Sequence, residues 1–576
     1  MSKAGGFVMA LLLGAMVAGT AYFASIAGEK GSLSRAVASI DRGGMELELN
    51  GEDEMAPELS PNLGWVNTSV PLRFSDELKG HVVILDFWTY CCINCMHILP
   101  DLEFIEEKYK DQPVVVVGVH SAKFDNEGQR ASVERAVKRY SIHHPVVIDD
   151  GMGIWTKYGV RAWPSFVVVD SRGFVVGSES GEGNRELLDQ LVGALLEKGK
   201  KEGTLAAKAW RDPKAGTESS SKAGTKAEDV VSLSFPGKVL ATRGDGGWLF
   251  VSDSTGNRVI AARLPGEDGV AKVERVIGKG WSVSPERTLV DGAADEAVFH
   301  DPQGLAFDGT RILYVADREN HAIRTIDTTT WRVGTLVGTG KQGYDRRGGR
   351  AGVVQSLASP WDVALSADVK TLYVAMAGTH QLWSVDVASG EARALAGSGR
   401  ESIIDGSARE AALAQPSGLS LSGDGGTLYF ADSETSAIRA MDLAKGTVRT
   451  IIGRGLFEFG DVDGTYPEAR LQHCLGVSVI PGEAGKLLVA DTYNHRLKIV
   501  DAGARSSRAF VGMGKRADGA IGEMKDLYLD EPGGVCVIGG VKEGEAAVAY
   551  VADTNNQRII EVNLETKAWR VIRLKK

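Results

Sequence analysis

A short fragment recurs six times in the second part of the chain, and no other feature restricts the fold as strongly. The copies are VSDSTGNRVI from Val251, VADRENHAIR from Val315, VAMAGTHQLW from Val374, FADSETSAIR from Phe430, VADTYNHRLK from Val489 and VADTNNQRII from Val551. Their third positions, Asp253, Asp317, Met376, Asp432, Asp491 and Asp553, are spaced by 64, 59, 56, 59 and 62 residues. Six residues after each lies an apolar side chain: Val259, Ile323, Leu382, Ile438, Leu497 and Ile559. A proline precedes most copies, at Pro236, Pro302, Pro360, Pro416 and Pro532, and Cys474 takes its place in the fifth. Six such units fill the 347 residues from 230 to 576. Repeats of this length, with several short strands and a turn begun by Asp, imply a six-bladed β-propeller; a parallel β-helix is built from much shorter units. Glycine, 71 of 576 residues, lies well above the ordinary ~7% and suits a chain of many tight turns.

The remaining residues divide by composition. Residues 4–28 run 25 positions without a charge, long enough for a helix to cross the ~30 Å hydrocarbon core, so 1–28 reads as a transmembrane anchor with Lys3 on its inner flank. A cleaved signal is the other reading, with Ser25-Ile26-Ala27 as the cleavage site. Either way the bulk of the chain is extracytoplasmic, periplasm-like or lumenal. Residues 29–57 form a spacer. Residues 58–196 alternate β-branched runs (HVVILDFW, VVVVGV, PVVID, SFVVVD) with helical patterns, an α/β layout. Residues 197–229, rich in Lys, Gly, Ser and Thr, read as a flexible linker. A net charge of -10 argues against nucleic acid as a partner. A hydrophobic share of 43% excludes both wholesale disorder and a multi-span membrane protein.

Three of the five cysteines, Cys91, Cys92 and Cys95, stand within five residues. They follow a buried-type strand and open a helix, since Ile98, Leu102, Ile105 and Tyr109 then fall at helical spacing. At such a junction the first sulfur of Cys-x-x-Cys meets unpaired amides and the helix dipole, which favour a thiolate, while the second lies within reach for a disulfide. Cys92 is therefore the expected attacker and Cys95 the resolving thiol. Asp86, inside an otherwise apolar strand, is a candidate buried acid that relays protons near Cys95, or a satisfied structural carboxylate. Pro164, directly before FVVVD, is placed like the cis-proline that faces the cysteines in a thioredoxin-like fold. Pro100 is expected to kink the helix. Cys91, Trp88 and Trp163 are candidate accessory residues, Cys91 being either a third redox sulfur or a spectator. His97 is expected on the helix surface, and His143 and His144 receive no role. Cys474 and Cys536 read as buried small hydrophobes. No second Cys-x-x-Cys or paired His completes a zinc site, so no cofactor or metal is expected.

Residues 57–190, with W-V-N at 65–67, L-D-F-W-T-Y-C-C-I-N-C and Y-G-V-R-A-W-P-S-F, resemble the exported TlpA-like thioredoxin branch. The V-A-D-x-x-N-H-x-L wording at Val489–Leu497 resembles the NHL repeat, whose Asp and Asn would cap local turns. The C-C-I-N-C run followed by a six-fold NHL array resembles one narrower family, which includes animal NHL repeat-containing protein 2, the lumenal part of the plastid suppressor-of-quenching protein and bacterial relatives. That resemblance implies a thioredoxin-like domain joined to a propeller, with Cys92 and Cys95 as the redox pair. Met376 and Cys474 depart from the repeat pattern, and the chain stops with the sixth repeat.

Three functions compete. The first is a membrane-anchored thiol-disulfide oxidoreductase whose propeller recruits or orients a protein thiol or disulfide client, with a redox partner protein to recycle it. The second is a non-catalytic interaction scaffold with a vestigial thioredoxin fold. The third, a propeller hydrolase or lyase with a channel metal, needs converging ligands. His300, His321, His380, His473 and His495 read instead as scattered, sharing no common repeat position.

Overall fold

The computed structural model describes residues 54–60, 63–213, 229–244, 246–280, 289–517, 526–540 and 546–576. It divides into two compact units, Met1–Lys222 and Ala223–Lys576. Among the described residues no helix is long and apolar enough to cross a membrane, and the anchor or signal expected at 1–28 lies outside them.

The first unit is thioredoxin-like. Its strands are β1 (Trp65–Val66), β2 (Val82–Trp88), β3 (Val114–Ser121), β4 (Val146–Asp149), β5 (Ser165–Val169) and β6 (Val175–Ser180). Its helices are α1 (Ile93–Lys108), α2 (Arg130–Arg139), α3 (Gly153–Lys157) and α4 (Arg185–Glu202). The sheet order is β1-β4-β3-β2-β5-β6, with β2, β3 and β4 parallel and β5 antiparallel to β2. Every residue of β2 (VVILDFW) is buried, as a central strand covered on both faces requires. Val82 and Ile84 pack with Ile98, Leu102 and Ile105 of α1 and Leu188, Leu191 and Leu195 of α4. The alternate residues Val83, Leu85 and Phe87 pack on the other face with Leu72, Phe74, Leu78 and Ile154.

Both expected boundaries of this unit shift outward. The spacer was expected to run to residue 57, but Val175 N–H donates to Glu54 O at 3.0 Å and Ala56 N–H to Gly173 O at 2.8 Å, extending the β6 edge. The expected linker at 197–229 is ordered at its start: α4 runs to Glu202, Ala206 N–H donates to Gly80 O at 2.7 Å, and Trp210 packs on the core. Polar composition concealed Leu205 and Trp210, the two apolar side chains that hold this stretch. Residues 214–228 lie outside the described residues.

The second unit is β-propeller-like. Its strands form antiparallel four-stranded meanders, the first comprising Lys238–Thr242, Trp248–Asp253, Arg258–Arg263 and Val270–Ile277. Among the described residues four sheets stand alone, one four-stranded and three five-stranded, and a fifth sheet has eight strands. Six separate blades were expected, and four are separate. In the eight-stranded sheet, Val270–Ile277 pairs in parallel with Trp569–Lys575, the last strand of the chain. Residues at the start of the unit run alongside that strand as well, with Val231 N–H donating to Leu574 O at 2.9 Å.

The repeated Asp side chains do more than cap their own turns. Asp317, Asp432, Asp491 and Asp553 each accept, at 2.8 Å, a backbone N–H from the loop before the same meander: His300, Ala414, Gln472 and Asp530. Arg324 bridges Asp317 (2.8 Å) to Asp291 (2.8 Å), and Arg439 bridges Asp432 (2.8 Å) to Asp405 (3.0 Å). Asp291, Asp405 and Asp463, each followed by a glycine as suits an interblade turn, therefore place carboxylates against buried cations, and the fourth such pair, Asp518-Gly519, lies outside the described residues. In the third meander, Met376 and the buried Trp383 occupy the positions of that Asp and Arg, so an apolar pair replaces the ionic one.

The expectation that the histidines share no position is corrected. Asn257, His321, His380, Ser436 and His495 occupy one turn position, each with φ between 47° and 53°. Their side chains accept the backbone N–H of Asp301 (2.9 Å), Ser359 (3.0 Å), Gln415 (3.1 Å), His473 (3.0 Å) and Glu531 (3.2 Å) at the start of the next meander. These histidines are fasteners between successive meanders. Variation among Asn, His and Ser hid the position in the sequence, because only the acceptor atom is shared.

One further position recurs on the first strand of each meander: Lys238, Gly304, Asp362, Gly418, Gly476 and Gly534. A Cβ on Gly534 would lie 2.7 Å from the Lys238 Cα, so no side chain fits there. The buried Lys238 Nζ donates to Asp362 Oδ2 (3.2 Å), Ser417 O (2.7 Å) and Leu475 O (2.6 Å). One ammonium thus ties the first meander to the third, the fourth and the loop before the fifth. Burial pushes both partners toward their neutral forms, and their mutual attraction opposes it. Removing one partner of a buried pair costs ~3–5 kcal/mol, because the other is left uncompensated. Asp362→Ala should therefore lower the calorimetric transition of the second unit in the full chain. Lys238→Met combined with Asp362→Leu should recover most of that loss. A neutral Asp362→Ala would contradict the role given to the pair.

Candidate active site

The β2 strand ends at Trp88, and a short turn carries the chain into α1. Cys92 is the N-cap of α1: its carbonyl accepts from the amides of Cys95 (3.1 Å) and Met96 (3.2 Å), and its own N–H donates to Thr89 O (3.3 Å). Its side chain makes no capping hydrogen bond. Among the three clustered cysteines the exposure differs sharply: Cys92 is half-buried, whereas Cys91 is 0% and Cys95 1% exposed. Only Cys92 can meet a macromolecular substrate without the turn opening. All five cysteines are free thiols in this structure.

Cys95 lies near enough to Cys92 for the two sulfurs to influence each other. Burial pushes its thiol well above the ordinary value; the Cys92 sulfur and the charge of Asp86 add to the rise, while the Thr89 backbone opposes it. Asp86 is fully buried, and both of its carboxylate oxygens are without a hydrogen-bond partner among the described residues. Burial raises its carboxyl to about 7, partly offset by His144. A group that must take a proton from a buried thiol and give it up again needs a proton affinity near ambient pH, which burial confers on Asp86.

Cys91 is held apart from this pair. Its N–H donates to Glu127 Oε1 at 2.8 Å, and its thiol is 3.9 Å from Thr89 Oγ1. Thr89 Oγ1 donates to Glu127 Oε2 at 2.8 Å, and the Lys123 and Phe124 amides donate to the same oxygen at 3.1 Å each. The fully buried Glu127 is the post to which the cysteine turn is tied.

Pro164 follows a cis peptide bond from Trp163. The β2–β5 register pairs Phe87 with Ser165, so Pro164 falls across from Trp88, at the end of β2 nearest the cysteines. Trp163 Nε1 donates to Ser121 O at 3.0 Å, and its ring lies 4.5 Å from that of Trp155. Among the described residues, no group of three or more His, Cys, Asp or Glu is placed to hold a metal ion.

The thioredoxin-like family model matches residues 80–175, and the NHL repeat model matches residues 299–326. Over 554 residues the chain is 37% identical to NHL repeat-containing protein 2 of Gallus gallus, covering 91% of this chain and 72% of that protein. The chain belongs to the NHL repeat-containing protein 2 family. It is also 42% identical over 534 residues to Protein SUPPRESSOR OF QUENCHING 1, chloroplastic, of Arabidopsis thaliana, covering 90% of this chain but spanning only 48% of that relative. The thioredoxin-like unit alone is 31% identical over 124 residues to the thiol-disulfide oxidoreductase ResA of Halalkalibacterium halodurans, 22% of this chain and 66% of ResA. This member of the NHL repeat-containing protein 2 family thus carries a domain related to thiol-disulfide oxidoreductases.

Sequence reading missed several groups around the family's C-C-I-N-C run. Glu127 is 36 residues from Cys91, and only the fold brings them together. His97, expected at the helix surface, is buried, with Nδ1 2.9 Å from Glu182 Oε1. His120 interrupts an apolar strand as Asp86 does, and that signal was there to be used. Its ring is edge-on to Trp88 at 4.9 Å and stacked on Tyr90 at 5.5 Å, and burial pushes its pKa down to about 3, so it stays neutral.

Unfolded chain ionises Asp86 at its ordinary 3.8 and folded chain near 7, so ionisation favours the unfolded state as pH rises between those values. Asp86→Asn removes that penalty. Its stability relative to the unsubstituted protein should climb from pH 4 to 7 by on the order of 4 kcal/mol and stay level above. Urea unfolding of the first unit at pH 4, 5.5, 7 and 8 measures the gap. A gap independent of pH would show that Asp86 is not held as a neutral acid.

Proposed function

We propose that this chain is a thiol-disulfide oxidoreductase in which Cys92 attacks, Cys95 resolves and Asp86 takes the resolving proton, with the β-propeller-like unit recruiting or orienting a protein client. The observation that carries the reading is the unequal exposure of the two sulfurs: a half-buried Cys92 at the N-cap, and a buried Cys95 coupled to Asp86, whose carboxylate has no hydrogen-bond partner among the described residues. The Cys92 thiolate attacks one sulfur of a client disulfide, forming a mixed disulfide and releasing the other client thiolate. Cys95 gives its proton to Asp86 and attacks the Cys92 sulfur. The Cys92–Cys95 bond forms, the second client thiolate leaves, and the client gains the two electrons that the pair loses. The reverse sequence oxidises a client dithiol, and a redox partner resets the pair. Cys91, tied to Glu127, acts as a spectator in this scheme.

Six blades are proposed for the second unit, the eight-stranded sheet counting as two. In support, the first strands of the six meanders neighbour one another in cyclic order, and Pro532–Ile538 returns to Lys238–Thr242. With Lys238 spanning the meanders, client recognition falls to the connecting loops, where Tyr344 and Phe457 are 65% and 66% exposed. The uncharged stretch at residues 4–28 supports attachment to a membrane with the remainder extracytoplasmic or lumenal.

Trapping tests the order of the sulfurs. Cys95→Ser should accumulate mixed disulfides on non-reducing gels, Cys92→Ser should accumulate none, and Cys91→Ser should behave as the unsubstituted protein. Equal trapping by Cys91→Ser and Cys95→Ser would make Cys91 a working sulfur. A protein whose three variants all trap nothing would favour the scaffold.

A further inference from the structure

A buried acid that accepts a proton must also lose it, and Asp86 has no exposed surface through which to do so. The parallel β2–β3 register sets Gly118 beside Asp86, and residues paired in register present their side chains to the same face. Gly118 adds no side chain to that face next to Asp86. A Cβ there would lie 3.0 Å from Trp88 Nε1, 3.2 Å from Val146 Cγ2 and 3.3 Å from His144 Nε2, so the missing side chain is what lets the His144 ring close over the strand beside Asp86. His144 Nε2 is buried and has no hydrogen-bond partner among the described residues. Its other nitrogen, Nδ1, lies 3.2 Å from Glu106 Oε2. A carboxylate only accepts, so Nδ1 carries the hydrogen in the neutral ring and Nε2 presents a lone pair over Gly118. The His144 side chain is 3% exposed and that of Glu106 31%, so the file of groups begins in the core and ends in solvent.

We propose that His144 and Glu106 form the exit path for the proton that Cys95 delivers to Asp86. The inference rests on the thiol-exchange reading above and adds the two residues that complete it. The Asp86 carboxyl gives its proton to Nε2 of His144, whose ring is packed over Gly118 and whose charge acts on Asp86, while the Nδ1 proton passes to the Glu106 carboxylate and on to water. One proton has then left the core, Asp86 is ionised, and His144 remains neutral with its hydrogen on Nε2. Other ionisable groups around Asp86 do not offer this route. On α1, Cys95 is the group whose charge couples to Asp86, and the buried His97 is paired instead with Glu182. His120 on β3 is held neutral, the β5 partner is Phe166, and the core face of α4 presents Leu188, Leu191 and Leu195. His144 and Glu106 are positioning and relay residues, since neither touches the sulfurs.

The reduced full-length chain with 5,5′-dithiobis(2-nitrobenzoate) separates the two chemical steps, because Cys92 attack releases one coloured thiolate and Cys95 resolution releases the second. Glu106→Gln keeps an acceptor for Nδ1 but binds no proton, and being partly exposed it leaves the core intact. It and His144→Gln should leave the first phase unchanged and slow the second about tenfold near pH 7, within the range that positioned acid-base groups contribute. The pH dependence of the second phase should change with it, and Glu106→Asp should restore most of the rate. A second phase within twofold of the unsubstituted protein from pH 6 to 8 in Glu106→Gln would overturn the relay, whether or not His144→Gln folds. A missing first phase in the unsubstituted protein would instead overturn the thiol-exchange reading, and the relay with it.

Discussion

The double burial of β2 governs the first unit. A strand covered on both faces must be apolar, and this one is, except at Asp86. Placing a carboxyl there costs stability whenever it ionises, and among the described residues no hydrogen bond offsets that cost. The strand cannot shift to expose the acid, because a slip of one residue would turn Val83, Leu85 and Phe87 into the face packed by α1 and α4. The same strand delivers the chain at Trp88 to the cysteine turn, so the acid and the sulfurs are fixed relative to one another by sheet geometry. Glu127 then ties the turn from the other side, which leaves Cys92 as the one clustered sulfur open to a partner.

The second unit solves a related problem by repetition. Short meanders of a propeller bury little individually, so their junctions must hold. Here two devices recur at most junctions: an Asp that collects a backbone amide from the loop upstream, and a turn residue with positive φ that accepts an amide from the next meander. The third meander shows that the device tolerates chemical inversion. Met376 and Trp383 fill with packing what Asp317 and Arg324 fill with charge.

Much of this was legible in the sequence because periodicity and clustering report on geometry directly. The six repeated fragments, five of them with the turn Asp, marked the meanders, and the strand-then-helix pattern around Cys92 marked the thioredoxin-like fold and the N-cap. Asp86 was legible as a charge where a charge does not belong. What escaped depended on partners distant along the chain. Glu127, His144 and Glu106 are ordinary polar residues until the sheet brings them to the cysteine turn and to Gly118. The fasteners at His321, His380 and His495 escaped because Asn257 and Ser436 perform the same task with different side chains. Lys238 and Asp362 escaped because their counterparts in the other meanders are glycines, whose message is the space they leave. The linker boundary was misplaced for the opposite reason: two apolar residues in a polar stretch sufficed to order it.

The central claim is that Cys92 and Cys95 form one redox couple. Equilibrating the full-length chain across a glutathione redox series and counting alkylated cysteines by mass spectrometry tests it most directly. The account predicts that Cys92 and Cys95 gain and lose their labels together, as a two-electron couple, while Cys91, Cys474 and Cys536 stay reduced throughout. A Cys92 that exchanges with glutathione while Cys95 remains a thiol at every ratio would contradict it.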